Sequence, residues 1–332
     1  MPRTTAGVSM LFATFAASVA LTACSPEASG PSARAQGDAP AASSPFQPAP
    51  TPASDDIRTF AIGELKATAL RDGALAFPND NQVFGIGHTP EEVAGVLRDA
   101  QLPTDTLQLG LQPLLVEAGE RVLLFDSGGG ASFGDDAGQL SASLRAAGIE
   151  PGEVTDIFIS HAHGDHVGGL VGADGVPVFA NASIHMSAPE WAFLSGMSAE
   201  TAKNVVIPEH AAFVAALTPK VATFEPGAEI VPGMVEAVAI EGHTPGHSGY
   251  LISSGAESLL YVGDAMHHSV VSVQKPGWPN GFDGEPGTAA DSRSALVEQL
   301  AASGQRAYNV HAPFPGLGRI EKQGDTLVWV GE

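Results

Sequence analysis

The chain carries one cysteine in 332 residues, Cys24, so it cannot build a disulfide framework or a cluster of thiolates around a metal. Any metal site must be assembled from histidine and carboxylate. Positive charge is scarce as well: 15 Lys and Arg stand against 37 Asp and Glu, a formal net charge of −22. Such a surface repels nucleic-acid phosphates and anionic lipid head groups, which sets both aside as partners. It also disfavours strongly anionic substrates unless a cation offsets the field locally. The N-terminal apolar run, from about Val8 to Leu21, falls short of the roughly 20 residues a spanning helix needs. It suits the apolar region of a secretory signal instead. What the chain does have is an apolar fraction of 44%, enough for a core.

The apolar run ends in Leu21-Thr22-Ala23-Cys24, which resembles the lipobox of bacterial lipoproteins. That resemblance implies acylation of Cys24 and an exported protein, lipid-anchored to a bacterial membrane and facing the periplasm or the cell exterior. An ordinary cleaved signal is the alternative. Residues 25–56 are rich in Ala, Pro, Ser and Gly without an apolar period, a composition expected to remain a disordered tether. The folded domain is expected over residues 57–332.

Within it, Arg58–Ile62 and Leu65–Leu70 read as strands, and Arg71-Asp72-Gly73 as a turn into a third. Thr89-Pro90-Glu91-Glu92 is a capping box that predicts a helix to about Ala100. Gln108–Val116 and Arg121–Phe125 read as a hairpin, Leu140–Ala147 as a helix and Val154–Ile159 as a buried strand. Further strands are expected at 176–180, 183–186, 235–240, 250–253, 258–262, 307–310 and 326–330. A helix capped by Asp291 is expected over Ser292–Ala302, and another short one after Ser187, carrying Trp191, Phe193 and Leu194. Strands in runs with helices between some of them suit two packed sheets with helices outside.

The chemistry concentrates in Ser160-His161-Ala162-His163-Gly164-Asp165-His166, directly after the apolar strand 156–159. On extended backbone, residues two apart face the same way, so His161 and His163 can grip one ion. A sharp turn at Gly164 would then swing Asp165 and His166 toward a second. Four ligand-type side chains in six residues serve no packing purpose, because unpaired Asp is costly to bury and clustered imidazoles repel when protonated.

The spacing His-x-His-x-Asp-His resembles the signature of the metallo-β-lactamase superfamily. Later segments resemble the family's remaining ligand motifs in order: Gly242-His243-Thr244-Pro245-Gly246-His247, Val262-Gly263-Asp264, and His311 after a strand. The resemblance implies an αββα sandwich, two mixed β-sheets with helices on the outer faces. It also implies two divalent metal ions, zinc being the first choice, with iron, cobalt and manganese left open. By this match His161, His163 and His243 hold one ion, Asp165, His166 and His311 the other, and Asp264 bridges them. Asp126, in Phe125-Asp126-Ser127-Gly128, would support the metal loop by hydrogen bonds, and His247 would be structural. His267 stands where acyl-homoserine lactonases place a substrate-contacting Tyr, which leaves its role open.

The segment from His311 to Ile320 resembles that of methyl parathion hydrolases, whose relatives include lactonases and aryl esterases. The implied activity is dinuclear, metal-dependent hydrolysis of neutral esters, lactones or organophosphate triesters through a metal-bound hydroxide, with Asp165 passing a proton to the leaving group. Acyl-homoserine lactone hydrolysis is the alternative within that class. Outside it stand an iron-dependent sulfur dioxygenase and a lipid-anchored zinc-binding protein without catalysis. The partner is then a small ester or lactone. The sequence leaves the oligomeric state open, a dimer included.

Overall fold

The computed structural model describes residues 54–332. The secretory run, Cys24 and residues 25–53 of the expected tether lie outside the described residues. The rest of that tether, Ser54–Asp56, is a single 3-10 turn, and Asp56 pairs with Arg71 at 3.2 Å.

In chain order the strands are β1 (Ile57–Ile62), β2 (Leu65–Leu70), β3 (Gly73–Pro78), β4 (Thr106–Leu111), β5 (Leu114–Ala118), β6 (Arg121–Phe125), β7 (Asp156–Phe158), β8 (Ser183–Ser187) and β9 (Val221–Phe224). They continue as β10 (Glu229–Val231), β11 (Val235–Ala239), β12 (Ser248–Ser254), β13 (Glu257–Tyr261), β14 (Ala307–Tyr308), β15 (Leu317–Gln323) and β16 (Thr326–Gly331). The helices are α1 (Pro90–Asp99), α2 (Leu140–Ala146), α3 (Gly164–Val167), α4 (Ala188–Gly196), α5 (Ala199–Asn204), α6 (His210–Leu217), α7 (Val271–Gln274) and α8 (Pro286–Ser303).

One seven-stranded sheet runs β1-β2-β5-β6-β7-β8-β9, the other β10-β11-β12-β13-β14-β15-β16. Both are mixed. β1, β2, β5 and β6 pair antiparallel, whereas β6 through β9 pair parallel. In the second sheet only β13 and β14 run parallel. Three apolar layers hold the stack together. Between the sheets lie Phe125, Phe158, Tyr250, Tyr261 and Tyr308, all fully buried. Outside the first sheet, Leu144 of α2, Leu194 of α4 and Leu217 of α6 pack on Leu124, Ile157 and Ile184. Outside the second, Leu296, Val297 and Leu300 of α8 pack on Leu260 and Ile320. This is the four-layered sandwich with two mixed sheets and helices on its outer faces.

The structure departs from the sequence reading at four places. The expected strand Gln108–Val116 is two strands, because Pro113 has no N–H to continue the ladder. β4 pairs with β3 in a separate ribbon, while β5 enters the first sheet. The expected strand at 176–180 is only an isolated bridge from Pro177 to Val171, between a left-handed Gly175 and a turn. Helix α8 starts at Pro286 rather than at Asp291: Pro at the first position supplies the helical φ, and Asp291 is an exposed interior residue. Strands β9, β10 and β15 and helices α5, α6 and α7 were not expected from the sequence, β15 because Gly318 sits inside it. The capping box at Thr89 is present as expected, with Thr89 Oγ1 accepting from Glu92 N and Glu92 accepting from Thr89 N.

Phe158 stacks on Phe125 and on His185, both with ring centroids 4.9 Å away, in the layer directly beneath the histidine-rich loop. Phe158→Ala should leave a cavity there and cost about 3–5 kcal/mol of folding free energy. Urea denaturation of the two proteins checks this.

Candidate metal centre

Parallel strands end together, and here four of them deliver their next residues to one edge of the sandwich. β6 leads into Asp126, β7 into Ser160 and His161, β13 into Asp264 and β14 into His311. His163 is extended (φ −92°, ψ 153°) and is the last residue before α3. The one-turn helix then carries Asp165 and His166. Gly164 is required by proximity rather than by its φ. Its N–H donates to Val205 O at 2.8 Å, and a Cβ there would sit 2.4 Å from Val206 O.

The ring and carboxylate atoms converge in two groups. One nitrogen or oxygen from each of His161, His163, His243 and Asp264 lies within 4.8 Å of the others, and so do those of Asp165, His166 and His311. Asp264 faces both groups. Its Oδ1 is 3.1 Å from His166 Nε2 and 3.0 Å from His311 Nε2, and its Oδ2 is 3.4 Å from His243 Nε2 and 3.6 Å from His161 Nε2. The seven side chains named from the sequence therefore meet in one place.

Surrounding groups decide which nitrogen of each ring faces inward. His166 Nδ1 donates to Asp126 Oδ2 at 2.8 Å, His243 Nδ1 to Asp283 Oδ1 at 2.9 Å, and His311 Nδ1 to the Gly110 carbonyl at 2.8 Å. Ser160 Oγ gives its proton to Asp126 Oδ2, so His161 Nδ1, 3.0 Å away, must be the donor to that hydroxyl. Four rings thus hold their protons outward and aim Nε2 lone pairs at the centre. His243 Nε2 lies 3.1 Å from both His161 Nε2 and His163 Nδ1. Lone pairs at that distance repel unless a cation lies among them. His166 Nε2 and Asp264 Oδ1, both buried, lack any hydrogen-bond partner. The donor set therefore fits a divalent cation, with borderline nitrogen ligands and hard carboxylate oxygens.

Electrostatics divide the two groups. Burial, then the neighbouring His166, holds His161 well below the usual imidazole range. Burial does the same for His243 and brings His163 to about 4. These rings stand neutral, ready to donate. Burial also acts downward on His166 and His311, but Asp264 and Asp165 outweigh it and raise both.

A second layer fixes the loops. Asp126 receives Ser160 N, Ser160 Oγ, His166 Nδ1 and Tyr261 OH at 2.7–2.8 Å, the supporting role expected of it. Asp283 is held in turn by Arg293 at 3.2 Å. Sequence reasoning missed Glu190, which is fully buried on α4. Its Oε1 accepts from Ala162 N, and its Oε2 from Thr244 Oγ1 and Gly246 N, at 2.7–2.8 Å, so it ties the first histidine loop to the second. Its only sequence signal is a Glu in the first turn of a Ser-capped helix, a position usually exposed. His247 spends both nitrogens on backbone, Nδ1 on Ile240 O and Nε2 on Asp264 N. Trp191, Phe193 and Leu194 pack in the outer core. Glycines 128–130 form no anion cradle: Gly129 N donates to Asp72, and Gly128 O accepts from Gly169 N.

The centre opens into a cavity of about 510 Å³ walled by Phe77, Leu109, Phe133, Val206 and Phe282. Asp165, Asp264, His267 and His311 form its floor. A second cavity of about 520 Å³ lies across Val206 and holds none of the clustered histidines.

Comparison with known proteins gives a consistent picture. Residues 113–330 match the family described as Metallo-beta-lactamase superfamily. Among solved structures the chain is similar to AidC, a dizinc quorum-quenching lactonase in complex with the product N-hexanoyl-L-homoserine. Identity is 31% and the TM-score 0.78, over 84% of this chain and 99% of that one. It is similar also to AbOPH, a hydrolase in the beta-lactamase superfamily, at 26% identity and TM-score 0.76, over 85% and 99%. An N-acyl homoserine lactone lactonase shares the fold at 22% identity and TM-score 0.53, over 78% and 100%. No curated protein sequence matches the chain.

Burial pushes the Glu190 carboxyl up to about 7, against the three donors that hold it down. A carboxyl raised in the folded state binds more protons there than in the unfolded chain. Its contribution to stability is therefore full below about pH 4.5 and is lost as pH rises through about 7. Glu190→Gln cannot titrate. Between pH 5 and 7 the wild type should lose about 2 kcal/mol relative to this variant. Urea unfolding of both at matched metal content checks it, and parallel pH dependences would contradict it.

Proposed function

Since the chain belongs to the metallo-beta-lactamase superfamily and is a metal-dependent hydrolase, we propose that it is a dinuclear zinc enzyme for neutral lactones and related esters. One observation carries the proposal. Two donor groups share the carboxylate of Asp264 and face a single apolar cavity of about 510 Å³. In this reading His161, His163 and His243 hold one ion, Asp165, His166 and His311 the other, and Asp264 touches both. When bound, the ions supply Lewis acidity, polarising a carbonyl oxygen and acidifying water at neutral pH.

The chain's own residues supply the rest. Phe77, Leu109, Phe133 and Phe282 take up an apolar acyl group and exclude bulk water, which strengthens charge interactions at the floor. Asp136 and Asp165 line the same space, so an anionic substrate would meet carboxylates. Asp165 lines the cavity with its side chain 16% exposed. Burial acts to raise its carboxyl, but His166 and His311 hold it well below the usual carboxylate range. It therefore stands ionised, and the proton it delivers to a departing alkoxide must first come from the attacking water. The 31% identity to a lactonase over most of the chain favours lactones. The segment from His311 to Ile320, which resembles that of methyl parathion hydrolases, keeps aryl esters and phosphotriesters as a second reading. A complete second donor group argues against a one-metal redox enzyme.

An activity panel on the zinc-loaded protein tests the reading: N-hexanoyl-homoserine lactone, a nitrophenyl ester and a phosphotriester. Inactivity toward all three would refute it. Asp165→Asn adds resolution. With an aliphatic alkoxide leaving group, the loss should be on the order of a hundredfold or more, and with nitrophenolate much smaller. Metal content is measured in the same samples, and equal losses at full occupancy would leave Asp165 as a ligand only.

We also propose that Cys24 is acylated and anchors the protein to a membrane, on the strength of Leu21-Thr22-Ala23-Cys24 at the end of the secretory run. Cys24→Ala should shift the protein out of the membrane fraction or leave its precursor unprocessed. Unaltered fractionation would refute the anchor.

A further inference from the structure

His267 is not one of the seven residues of the two donor groups, yet it packs against His243 and Asp264, is only 1% exposed and lies on the floor of the cavity. Its Nδ1 is 2.8 Å from Asn280 Nδ2. The backbone fixes which way that amide points. Phe282 N can only donate, and its acceptor at 3.0 Å is Asn280 Oδ1. The atom facing His267 is therefore the amide nitrogen, a donor. A neutral imidazole facing a donor presents its lone pair there, which leaves the ring proton on Nε2. The plane of the ring is also held, parallel to His311 within 7° at 5.9 Å and against Phe282 at 5.4 Å.

This is the reverse of the arrangement at His161, His166, His243 and His311. Those rings send their protons outward and their lone pairs inward, whereas His267 sends a proton inward. The nearest acceptor, Asp264 Oδ2, is 3.1 Å away but out of line, and Nε2 makes no hydrogen bond. A protonated Nε2 cannot ligate a metal, so this ring does not extend the donor set. It leaves a buried N–H unspent beside the carboxylate that joins the two groups.

We propose that His267 Nε2–H binds the carbonyl oxygen of the substrate and the oxyanion that forms from it, with Asn280 as the positioning residue that sets the tautomer. The proposal rests on the hydrolase reading above. No proton changes hands, because the donor keeps its hydrogen throughout. The role matches that of fixed donors aimed at developing negative charge elsewhere, where removing one costs about a hundredfold or more in kcat.

Three variants of the zinc-loaded protein test this. His267→Phe removes the donor, and His267→Gln offers an amide N–H in its place. Asn280→Asp keeps the shape and still accepts from Phe282 N, but it turns the facing atom into an acceptor and draws the ring proton to Nδ1. The readouts are the ¹⁵N signals of the histidine side chains, metal content, kcat and KM for N-hexanoyl-homoserine lactone, and the dissociation constant of its ring-opened product. The wild type should show His267 protonated at Nε2, and Asn280→Asp should move the proton to Nδ1. His267→Phe and Asn280→Asp should lose about a hundredfold in kcat at unchanged metal content, with His267→Gln retaining more. Product affinity should fall about tenfold in the first two. A proton on Nδ1 in the wild type, full kcat in Asn280→Asp, or loss of metal in place of kcat would overturn the proposal. A wild type inactive on lactones and esters would overturn the hydrolase reading. Product affinity would then decide for His267: unchanged affinity in His267→Phe and Asn280→Asp would overturn its role as well.

Discussion

Five imidazoles and two carboxylates converge, largely buried, at the edge of the sandwich, and everything nearby is shaped by the need to tolerate that. Such a cluster would ordinarily relieve itself by taking up protons or by swinging outward into solvent. Here burial keeps His161, His163 and His243 neutral, so protons can settle only at His166 and His311, and packing keeps the rings from swinging outward. The rings are packed ring-to-ring, as with His161 and His166 at 4.1 Å, and their outer nitrogens are already committed to Asp126, Asp283, Ser160 and the Gly110 carbonyl. The remaining lone pairs point at one another. A fold that holds donors so close is preorganised for a cation, because the repulsion has been accepted before the ion arrives.

That preorganisation comes from the two-sheet scaffold rather than from the donors themselves. Tyr250 and Tyr261 belong to the second sheet, yet their hydroxyls reach Ile159 O and Asp126 in the first. Glu190 adds a link from the outer helical layer to both histidine loops. Fully buried carboxylates such as Glu190 and Asp126 are expensive unless every oxygen is satisfied. Each here accepts at least three hydrogen bonds, so the cost of burial is offset by rigidity at the place where rigidity sets ligand geometry.

Much of this was legible in the sequence, for physical reasons that differ by element. The donors announced themselves because four ligand-type residues in six positions have no packing explanation, and the later three sit at strand ends where chain direction puts them on the same edge. The capping box at Thr89 was legible because its two hydrogen bonds lie within four residues. The break at Pro113 could have been read from the missing N–H, but the apolar pattern runs smoothly across it and masks the change of sheet. Glu190, Asp283 and Asn280 were not legible. Each acts on a partner 13 or more residues away, and no local pattern marks a polar residue as buried. The tautomer of His267 was equally hidden, since it depends on a backbone N–H two residues beyond Asn280.

The order of the donors along the chain has a consequence for how the protein matures. His161 to His166 come from the first half of the sandwich, whereas His243, Asp264 and His311 come from the second, the last of them 21 residues before the C-terminus. Neither half holds a complete donor group. Until the two halves have closed on each other the chain offers only fragments of a chelator, and an ion held by either group then ties the halves together.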